Sequence, residues 1–466
     1  MTRVLFVYRF FNYMEPLGIL YLSAALKKAG HETHFFDVGI EPERDLAAFF
    51  DRVKPDVVAY STTSGMHKYY AALNRRLKAT GREFVALFGG PHPTYEPEFI
   101  LEDGVDVACQ GEGEGAIVDL ADAIRDRKPF DGVANLSVKR EDGTVARNPV
   151  RPFIADLDSI PFPDRDLIYK YNHYRNLSTK YVLTSRGCPY DCTYCFNHAL
   201  EAIYSGKGKF IRRRSVENLL LELREVVKAP KTRRVFFIDD VFLIDKKWSL
   251  RFCDAYAREI GMPFMCCTRI ELVNEEIAAA LKKANINTLV FAVESADPVT
   301  RRETLKRDMD DELILDRVAI LKKHGVPFYT QNMLGLPGET FEEAVKTLRF
   351  NAKLGPGYAW ASIFQPYPGT ELGKRVTAQG LVETTGDVPE LYYDRSLLRI
   401  ANRREIQNLQ KWFSIAVAYP FLIPAIERVV KLPGNGLFAW LWQLFRGYAY
   451  LFKIRWMSLS DVMLRN

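Results

Sequence analysis

Three cysteines in one short segment are the residues of this chain whose spacing most directly indicates chemistry. Cys188, Cys192 and Cys195 are separated by three and then two residues, and they follow an apolar, strand-like run. Such tight spacing lets one loop surround one polynuclear metal centre. Iron–sulfur clusters are normally held by four cysteine thiolates, so a loop with three leaves one iron free to bind another molecule. The spacing therefore predicts a cluster with an open, reactive iron.

A zinc site is the competing interpretation of these three cysteines. Structural zinc requires four closed ligands, and no second CxxC or HxxxH motif completes such a set. His198, or the adjacent Cys266 and Cys267, remain available as a fourth ligand in the fold. Together with Cys109 and Cys253, these last two cysteines lie in apolar stretches, where cysteine is usually inert packing. We assign no chemistry to those four.

Alternating strand and helix patterns surround the cysteine loop from about residue 180 to residue 380. Six apolar strands are predicted near residues 181–184, 235–238, 264–268, 288–293, 328–333 and 359–364. Six such repeats predict a partial (β/α)6 barrel, whose chemistry gathers on the loops at the carboxyl ends of the strands. Polar or glycine-rich groups follow several of these strands, namely Asp239 and Asp240, Glu294 and Ser295, Gly335 and Gly338, and residues 365–370.

Each of these groups, taken singly, also has an ordinary structural explanation. Gly335 and Gly338 would make a turn before the next helix, and Asp239 with Asp240 would cap a helix. Arg269, at the end of the third strand, would pair either with a cofactor carboxylate or in a surface salt bridge. The cysteine loop is what favours the functional interpretation.

The cysteine loop and the strand-end groups together resemble the radical S-adenosylmethionine (SAM) superfamily. The resemblance implies that Cys188, Cys192 and Cys195 hold a [4Fe–4S] cluster whose fourth iron binds the amino and carboxylate groups of SAM. It also implies contacts with SAM for the remaining positions: Tyr194 before the third cysteine, Asp239 and Asp240 at the methionine amine, Glu294 and Ser295 near the ribose, and Gly335 and Gly338 near the adenine. The match extends across the predicted barrel.

Residues 1–126 carry a second alternation of short apolar strands and amphipathic helices, with strands near residues 4–7, 33–36, 57–60, 84–88 and 105–109. Strands that are apolar on both faces predict a doubly wound parallel sheet, whose ligands bind beyond the strand carboxyl ends. Loops rich in hydroxyls and glycines follow three of these strands, and such loops let backbone amides approach a large polar cofactor. The candidate residues are Ser61, Thr62, Thr63, Gly89, Gly90, His92, Gln110, Gly111 and Glu112.

These loops, with residues 15–22 ahead of the first helix, resemble the cobalamin-binding domains fused to radical SAM barrels. The resemblance implies that the loops seat a corrin, with His92 as a loop or nucleotide-tail contact rather than a metal ligand. The segment from Tyr8 to Glu15 departs from the better-known pattern, since it has no DxHxxG and no histidine to ligate cobalt. Tyr8, Phe10 or Phe11 would then shield that face, or would pack under the sheet. A domain that has lost cobalamin and serves only for docking is the remaining alternative.

The predicted fold class is therefore α/β, with four segments. These are a cobalamin-binding-like domain at 1–140, a proline-rich linker at 141–178 after a hairpin that turns at Asp142 and Gly143, a radical SAM partial barrel at 179–385, and a mostly helical region at 386–466. The last region interleaves aromatic and basic side chains. Such helices lie on an anionic membrane surface, or they pack on the barrel and close the active site.

Composition limits the function classes. The chain has 466 residues, 48% apolar and 26% charged, which excludes collagen-like, low-complexity and wholly disordered proteins. Residues 401–466 carry nine basic and three acidic side chains, so the rest of the chain is balanced and nucleic acid is not an expected partner. The chain has seven cysteines without a disulfide pattern, and it lacks a signal-peptide pattern. Both features predict a cytoplasmic protein, which would contact the inner face of the membrane through its carboxyl-terminal region.

The function implied by the resemblance is that of a cobalamin-dependent radical SAM enzyme. An external donor such as flavodoxin or ferredoxin would reduce the cluster, and the resulting 5′-deoxyadenosyl radical would attack an unactivated carbon. Methyl transfer to a large apolar substrate, such as an isoprenoid, lipid or tetrapyrrole, is the leading expectation. The alternatives are cyclisation, rearrangement or oxidation without net methyl transfer, and a sensor that binds cobalamin or the cluster without turnover.

Overall fold

The computed structural model describes residues 1–9, 14–383, 388–389, 395–433 and 436–448. The chain divides into two compact units: unit 1 contains Met1–Arg175 and Ala199–Arg213, and unit 2 contains Asn176–His198 and Arg214–Asn466. Each unit has its own sheet with flanking helices, and most of the strand pairs are parallel. The α/β fold class is therefore confirmed, whereas the predicted domain limits at residues 140, 178 and 385 stay predictions.

Unit 1 contains the first seven strands and the first seven helices. The strands are β1 (Arg3–Tyr8), β2 (Glu32–Asp37), β3 (Val57–Ser61), β4 (Val85–Gly89), β5 (Val107–Cys109), β6 (Leu136–Lys139) and β7 (Val145–Arg147). The helices are α1 (Leu17–Lys28), α2 (Leu46–Val53), α3 (His67–Lys78), α4 (Pro91–Tyr95), α5 (Glu114–Arg125), α6 (Asp166–Tyr169) and α7 (Asn172–Arg175). All five predicted strands are therefore present, with ends that differ by at most two residues.

The sheet of unit 1 has the order β2–β1–β3–β4–β5–β6–β7. Its first five strands are parallel and its last two are antiparallel. The parallel strands are apolar on both sides because helices cover both faces, and Leu5, Val58 and Phe88 lie in a core cluster that is fully buried. The predicted hairpin is present as β6 and β7, with Gly143 at φ +82° and the Asp142 carboxylate accepting a hydrogen bond from the amide of Thr144.

From residue 176 onward, the strands are β8 (Thr179–Val182), β9 (Ser185–Arg186), β10 (Arg212–Arg213), β11 (Arg234–Phe237), β12 (Phe264–Thr268), β13 (Ile286–Glu294), β14 (Phe328–Leu334) and β15 (Tyr358–Ile363). The helices are α8 (Phe196–Ile203), α9 (Val216–Val226), α10 (Lys246–Glu259), α11 (Glu275–Lys283), α12 (Asp311–Lys323), α13 (Phe341–Leu354), α14 (Glu371–Ala378), α15 (Arg403–Ala418), α16 (Ile423–Val429) and α17 (Gly436–Tyr448).

The sheet of unit 2 is entirely parallel and has the order β15–β14–β13–β12–β11–β8. The six strands are those that the sequence predicted for the partial barrel. Because they run in one direction, their carboxyl ends all lie on one edge, and the cysteine loop follows the first of them. The core beneath this edge contains Val182, Phe237, Leu289 and Phe291, each at most 1% exposed.

The carboxyl-terminal helices bury some of their aromatic side chains and expose others. Helix α15 packs on β15, where Ser414 Oγ donates to the carbonyl of Ala359 at 2.6 Å. Phe413 and Trp442 are buried, whereas Phe421 and Trp440 are 78% and 58% exposed. The prediction of a helical region is confirmed. Packing on the barrel by the buried aromatics and membrane contact by the exposed ones both stay predictions. Residues 449–466 lie outside the described residues, and within the described ones no helix is both long and apolar enough to cross a membrane.

Candidate functional site

The cysteine loop of unit 2 begins just after β8 and holds three free thiols. Cys192 is buried, and Cys188 and Cys195 are half-buried. The pKa of Cys188 is raised to about 12, mainly by burial and in smaller part by the charges of Asp240 and the two other cysteines. Burial likewise raises the pKa of Cys195. The bare loop thus favours neutral thiols, whereas a bound metal centre would reverse this preference because a coordinating thiol loses its proton.

The sulfurs of Cys192 and Cys195 accept hydrogen bonds from side-chain nitrogen donors, and a backbone donor at Tyr190 serves Cys188. The backbone nitrogen and Nδ2 of Asn197 lie 3.5 and 3.7 Å from Cys195 Sγ, and Arg269 Nη1 lies 3.6 Å from Cys192 Sγ. Donors of this kind are part of the protein shell that tunes iron–sulfur clusters. Among the described residues, no three His, Cys, Asp or Glu side chains close around a single metal-ion position. The fit of the loop to a cluster therefore rests on its three thiols and their N–H donors.

Asp239 and Asp240 follow β11 and have different surroundings. The Asp239 carboxylate accepts hydrogen bonds from the amide of Thr184 at 3.1 Å, from Thr184 Oγ1 at 2.7 Å and from Ser185 Oγ. Asp239 thus fixes the start of the cysteine loop. Asp240 lies near the thiols, and Asn197 is hydrogen-bonded to it. Its side chain keeps an open edge to solvent, although crowding by neighbouring protein raises its pKa.

A buried network joins Tyr194 of the cysteine loop to Glu294 at the end of β13. Tyr194 Oη donates to Glu294 Oε1 at 2.8 Å, and Arg307 Nη1 donates to Tyr194 Oη at 3.1 Å and lies 4.0 Å from the same carboxylate oxygen. Burial raises the pKa of Glu294, and the charge of Arg307 opposes that effect. Glu294 has φ +65° at a shift in the register between β13 and β14, which re-aims its side chain.

Arg307 was not among the predicted site residues, and its sequence context gives no signal for it. It lies in a loop between β13 and α12, and its Nη2 also donates to the carbonyl of Ala292 at 2.7 Å. Only the folded chain shows that this arginine reaches Tyr194.

Ser295 is not hydrogen-bonded to Tyr194 or Arg307. Its Oγ accepts a hydrogen bond from the amide of Asp297 at 3.1 Å, and its carbonyl accepts one from Arg301 Nη1 at 2.8 Å. Ser295 therefore supports the turn that follows Glu294.

Gly335 and Gly338 form the tight turn between β14 and α13, with φ values of +74° and +80°. The turn is fixed by Glu339, whose Oε2 accepts hydrogen bonds from the amides of Gly335 and Leu336. Glu339 is only 6% exposed, and its Oε1 has no hydrogen-bond partner in the described part of the chain. Burial raises its pKa to about 8. Glu339 ends the glycine-rich segment that the sequence singles out, but it was not among the predicted site residues, although an acidic residue directly after a glycine turn was the available signal.

Arg269 lies in the interior, which excludes the predicted surface salt bridge. Its side chain follows β12, is 6% exposed, and pairs with Glu271, with Arg269 Nε 2.7 Å from Glu271 Oε1. The alternative of a cofactor carboxylate stays a prediction.

In unit 1, a cavity of about 190 Å³ lies beyond the carboxyl ends of β1 and β3. The predicted residues Tyr8, Ser61 and Thr63 line it, and Arg9 and Gly18 do so as well. Burial is the main cause that raises the pKa of the Tyr8 hydroxyl, and the charge of Asp37 adds to it. A cavity of this size holds only part of a corrin. Phe10 and Phe11, the other predicted shielding residues, lie outside the described residues.

Thr62, Gly89, Gly90 and His92 connect the ends of β3 and β4. Thr62 donates its amide to the carbonyl of Gly89 at 2.7 Å, and its carbonyl accepts from the amide of His92 at 2.9 Å. Gly90 has φ +94°, and a Cβ there would come within 2.9 Å of the Thr62 nitrogen. Thr62 Oγ1 is buried and has no partner among the residues described. A glycine cradle with an unsatisfied hydroxyl fits a polar cofactor at this edge.

His92 is held within unit 1. Its ring stacks on His67 with centroids 3.9 Å apart, and its Nδ1 lies 3.2 Å from Ser64 Oγ. Burial lowers the pKa of His92 to about 3, and the charge of His67 contributes. His92 is therefore a neutral ring in a packed pair.

The loop with Gln110, Gly111 and Glu112 is covered by unit 1 itself. Gln110 Nε2 donates to the carbonyl of Thr94 at 3.0 Å, and the amide of Glu112 donates to Tyr204 Oη at 2.7 Å. A Cβ on Gly111 would lie 2.0 Å from that hydroxyl. Glu112 Oε1 also accepts a hydrogen bond from Arg212 Nη1 at 2.8 Å. The corrin contacts assigned to this loop stay predictions.

Comparison with known proteins finds two families along the chain. Residues 4–121 match the B12 binding domain, and residues 182–350 match the radical SAM superfamily. An uncharacterized methyltransferase of Pyrococcus horikoshii is 31% identical over 378 residues, which are 79% of this chain and 80% of that protein.

Two further relatives differ in the reactions that their names describe. The hopanoid C-3 methylase of Methylococcus capsulatus is 26% identical, with 77% of this chain and 68% of that protein covered. The anaerobic magnesium-protoporphyrin IX monomethyl ester cyclase of Rubrivivax gelatinosus is 24% identical, with 77% and 65% covered.

A solved structure has the same fold. The radical SAM methyltransferase TsrM of Kitasatospora setae, with cobalamin and a [4Fe–4S] cluster bound, has a TM-score of 0.68 at 17% identity. The likeness covers 86% of this chain and 83% of that chain. The cofactors are thus a [4Fe–4S] cluster, SAM and cobalamin, and the cluster replaces zinc as the interpretation of the cysteine loop. The chain belongs to the family of radical SAM enzymes that carry an amino-terminal cobalamin-binding domain.

Proposed function

We propose that this enzyme transfers a methyl group to an unactivated carbon of a large, apolar small molecule. The observation that carries the proposal is the three-thiol loop. The sulfurs of Cys192 and Cys195 accept hydrogen bonds from N–H donors, and Tyr194 of the same loop donates to the buried carboxylate of Glu294. Two of the relatives are named as a methyltransferase and a methylase, and the methylase is named for a hopanoid. These names support methyl transfer and an apolar substrate.

In unit 2, separate sets of residues are proposed to hold the cluster and SAM. When bound, the cluster supplies the electron that cleaves SAM, and cobalamin supplies a methyl carrier. Cys188, Cys192 and Cys195 are the proposed cluster ligands. Asp240 and Glu294 supply negative charge for the amine and the ribose hydroxyls of SAM, since both carboxylates lie close to the cysteine loop.

Several other residues act through these contacts rather than on the cofactors directly. Asp239 fixes the start of the cysteine loop through Thr184, and Glu339 fixes the backbone of Gly335. Tyr194 and Arg307 hold the Glu294 carboxylate in place. A rigid support of this kind keeps reacting groups oriented and keeps water out of the site.

In unit 1, we assign the corrin to the strand-end edge at β1, β3 and β4. Ser61 and Thr63 line the open cavity there, while the Thr62 hydroxyl and the Gly90 backbone offer polar contacts. Tyr8 supplies an aromatic face, and the segment from Tyr8 to Glu15 contains no histidine that could ligate cobalt. Gly89 and His92 hold the loops in shape.

The test is product analysis with the full-length, anaerobically reconstituted enzyme. The assay contains SAM labelled in its methyl group, a lipid extract, and reduced flavodoxin or ferredoxin, which we propose as electron donors. We expect labelled methyl in an apolar product, together with S-adenosylhomocysteine and 5′-deoxyadenosine. A Cys192→Ala variant, which lacks a proposed cluster ligand, is the matched control and is expected to form none of these.

A ring-forming or oxidative reaction is the second candidate, because one relative is named as a magnesium-protoporphyrin ester cyclase. The same assay separates the two candidates. An unlabelled, altered product formed with 5′-deoxyadenosine would replace methyl transfer by cyclisation, rearrangement or oxidation. A protein that forms neither 5′-deoxyadenosine nor S-adenosylhomocysteine above background would contradict both candidates and favour a sensor.

We also propose that the enzyme works at the cytoplasmic face of an anionic membrane. One stripe of α17, formed by Leu437, Trp440, Leu444 and Tyr448, is between 43% and 58% exposed at each position. The described residues from 395 to 448 carry eight lysines and arginines and two glutamates. Exposed aromatic and aliphatic side chains with surrounding positive charge suit an anionic lipid surface, from which an apolar substrate would enter.

Vesicle flotation tests this location independently of catalysis. We expect the enzyme to float with vesicles that contain phosphatidylglycerol, more weakly with pure phosphatidylcholine, and less at high salt. Trp440→Glu with Leu444→Glu should abolish flotation, whereas Leu221→Glu, at a leucine that is 52% exposed on α9, should not. Flotation that survives the double change, or self-association in its place, would remove the membrane proposal.

A further inference from the structure

Arg269 is held on three sides beside the cysteine loop. Its Nη1 donates to Cys192 Sγ at 3.6 Å, and its Cζ lies 4.1 Å from the centre of the Tyr190 ring. Its Nε and Nη2 both donate to Glu271 Oε1, the first at 2.7 Å. A planar guanidinium can stack and donate in several directions at once, which a lysine ammonium cannot do. The position therefore specifies arginine.

Glu271 completes an ion pair that has little access to water. The side chains of Arg269 and Glu271 are 7% and 19% exposed, and Glu271 Oε2 is buried without a hydrogen-bond partner among the residues that the structure describes. Charges in such surroundings are weakly screened, so their effect on a neighbouring centre is larger than at the surface. The positive member of the pair is the one that contacts a cysteine sulfur.

We propose that Arg269 is a positioning residue that raises the reduction potential of the cluster, and that Glu271 limits the size of this effect. The inference rests on the proposed assignment of Cys192 as a cluster ligand. Hydrogen bonds to the sulfurs and the net charge around a cluster are the means by which proteins set its potential. Accepting an electron adds negative charge to the cluster, so a nearby guanidinium favours the reduced form.

A purely structural role for the pair makes a different prediction. If Arg269 and Glu271 only hold the loop in shape, loss of either partner would loosen the cluster site in the same way. If they act through charge, loss of the cation and loss of the anion shift the potential in opposite directions. The sign of the two shifts therefore separates the two roles.

The experiment is a redox titration of the reconstituted, full-length enzyme without substrate. Electron paramagnetic resonance of the reduced cluster measures the reduced fraction at each potential. For Arg269→Gln we expect the equilibrium constant for one-electron reduction to fall about tenfold, which is 59 mV. For the isosteric Glu271→Gln we expect a rise, and for Arg269→Lys a smaller fall. Glu222→Gln removes another buried carboxylate paired with an arginine in unit 2 and is the matched control, expected to leave the potential near that of the parent.

Iron content, measured on the same samples, distinguishes a wrong ligand assignment for Cys192 from a wrong role for Arg269. A Cys192→Ala variant that retains the iron of the parent would contradict the proposed ligand set itself. With the cluster intact in the parent, shifts of the same sign in Arg269→Gln and Glu271→Gln, or no shift in either, would overturn the inference about Arg269 alone. Opposite shifts with unchanged iron content would support it.

Discussion

The cysteine loop of unit 2 and the strand-end loops of unit 1 follow the same kind of parallel strand, but their polar groups are engaged differently. In unit 2, residues from separate strands converge on the loop, as Arg269 does on Cys192 and Glu294 does on Tyr194. In unit 1, Gln110 and Glu112 are bonded to their own domain, and the open cavity lies at Ser61 and Thr63 instead.

The difference shows which motifs can be interpreted from the sequence alone, before the fold is known. A set of thiols at fixed spacing has few uses other than metal binding, so its chemistry is apparent locally. Glycines and hydroxyls are equally suited to bind a cofactor or to pack one loop on another. Which of these they do depends on distant residues such as Tyr204, whose hydroxyl meets the loop at Gly111.

The largest expected effect is loss of a proposed cluster ligand. Cys192→Ala should remove nearly all cluster iron and SAM cleavage, a loss greater than the roughly 10–100-fold typical of an outer-shell residue. Cys253→Ala, at a buried cysteine of α10, should keep its iron. Iron and sulfide analysis after anaerobic reconstitution measures both. Equal iron loss in the two variants would break the contrast between the loop and ordinary buried thiols.

The second prediction tests the covered loop of unit 1. Gly111→Ala would force Cβ against Tyr204 at a position with φ +79°, so we expect it to lower the free energy of unfolding by about 1–3 kcal/mol more than Gly143→Ala. Gly143 has a similar φ of +82° with no atom near its Cβ position, so it controls for backbone strain. Urea unfolding of both variants provides the comparison. Equal destabilisation would mean that the Tyr204 side chain moves aside easily and does not close the loop.

The third prediction tests the open cavity. Gly18 lies on α1 with no atom within 4 Å of a Cβ position, so Gly18→Leu should extend into the cavity without strain. We expect cobalamin affinity to fall about tenfold, or 1.4 kcal/mol, while the stability of the helix rises by up to about 1 kcal/mol. Gly436→Leu, at an unobstructed glycine of α17, should leave cobalamin affinity unchanged. Titration by absorbance measures binding, and unchanged affinity in Gly18→Leu would move the corrin away from this cavity.

The smallest expected effect concerns pH. The pKa of His92 is lowered by burial to about 3, from an ordinary value near 6.5. A depressed pKa means that the unfolded state takes up the proton first, so this stability is present above pH 6.5 and is lost as pH falls towards 3. Between pH 6.5 and 5.5 the loss should be up to roughly 1 kcal/mol. His92→Gln should flatten this part of the stability curve. Chemical unfolding at several pH values would show a retained slope in His92→Gln if another group is responsible.

Much of the fold was predictable because short strands that are apolar on both faces and separated by amphipathic helices have few arrangements available. The three-cysteine loop was recognisable for a different reason, since thiols at this spacing have few uses other than metal binding, and its assignment as the cluster ligands stays a prediction. Arg307 was not predictable, because its importance comes from burial and from Tyr194, far along the chain. Glu339 carries only a local signal, its position directly after the glycine turn that it fixes. Asp239 and Ser295 accept hydrogen bonds from nearby backbone amides, and their predicted contacts with SAM stay predictions.

The hydrogen bonds from Thr184 to the Asp239 carboxylate affect how the enzyme is assembled. They join the second strand of the unit 2 sheet to the residues just before the first cysteine, and they need no iron. Folding of the sheet alone thus orders the entrance to the metal site. Cluster insertion then meets a partly prearranged cradle, and less of the entropy of loop closure opposes it.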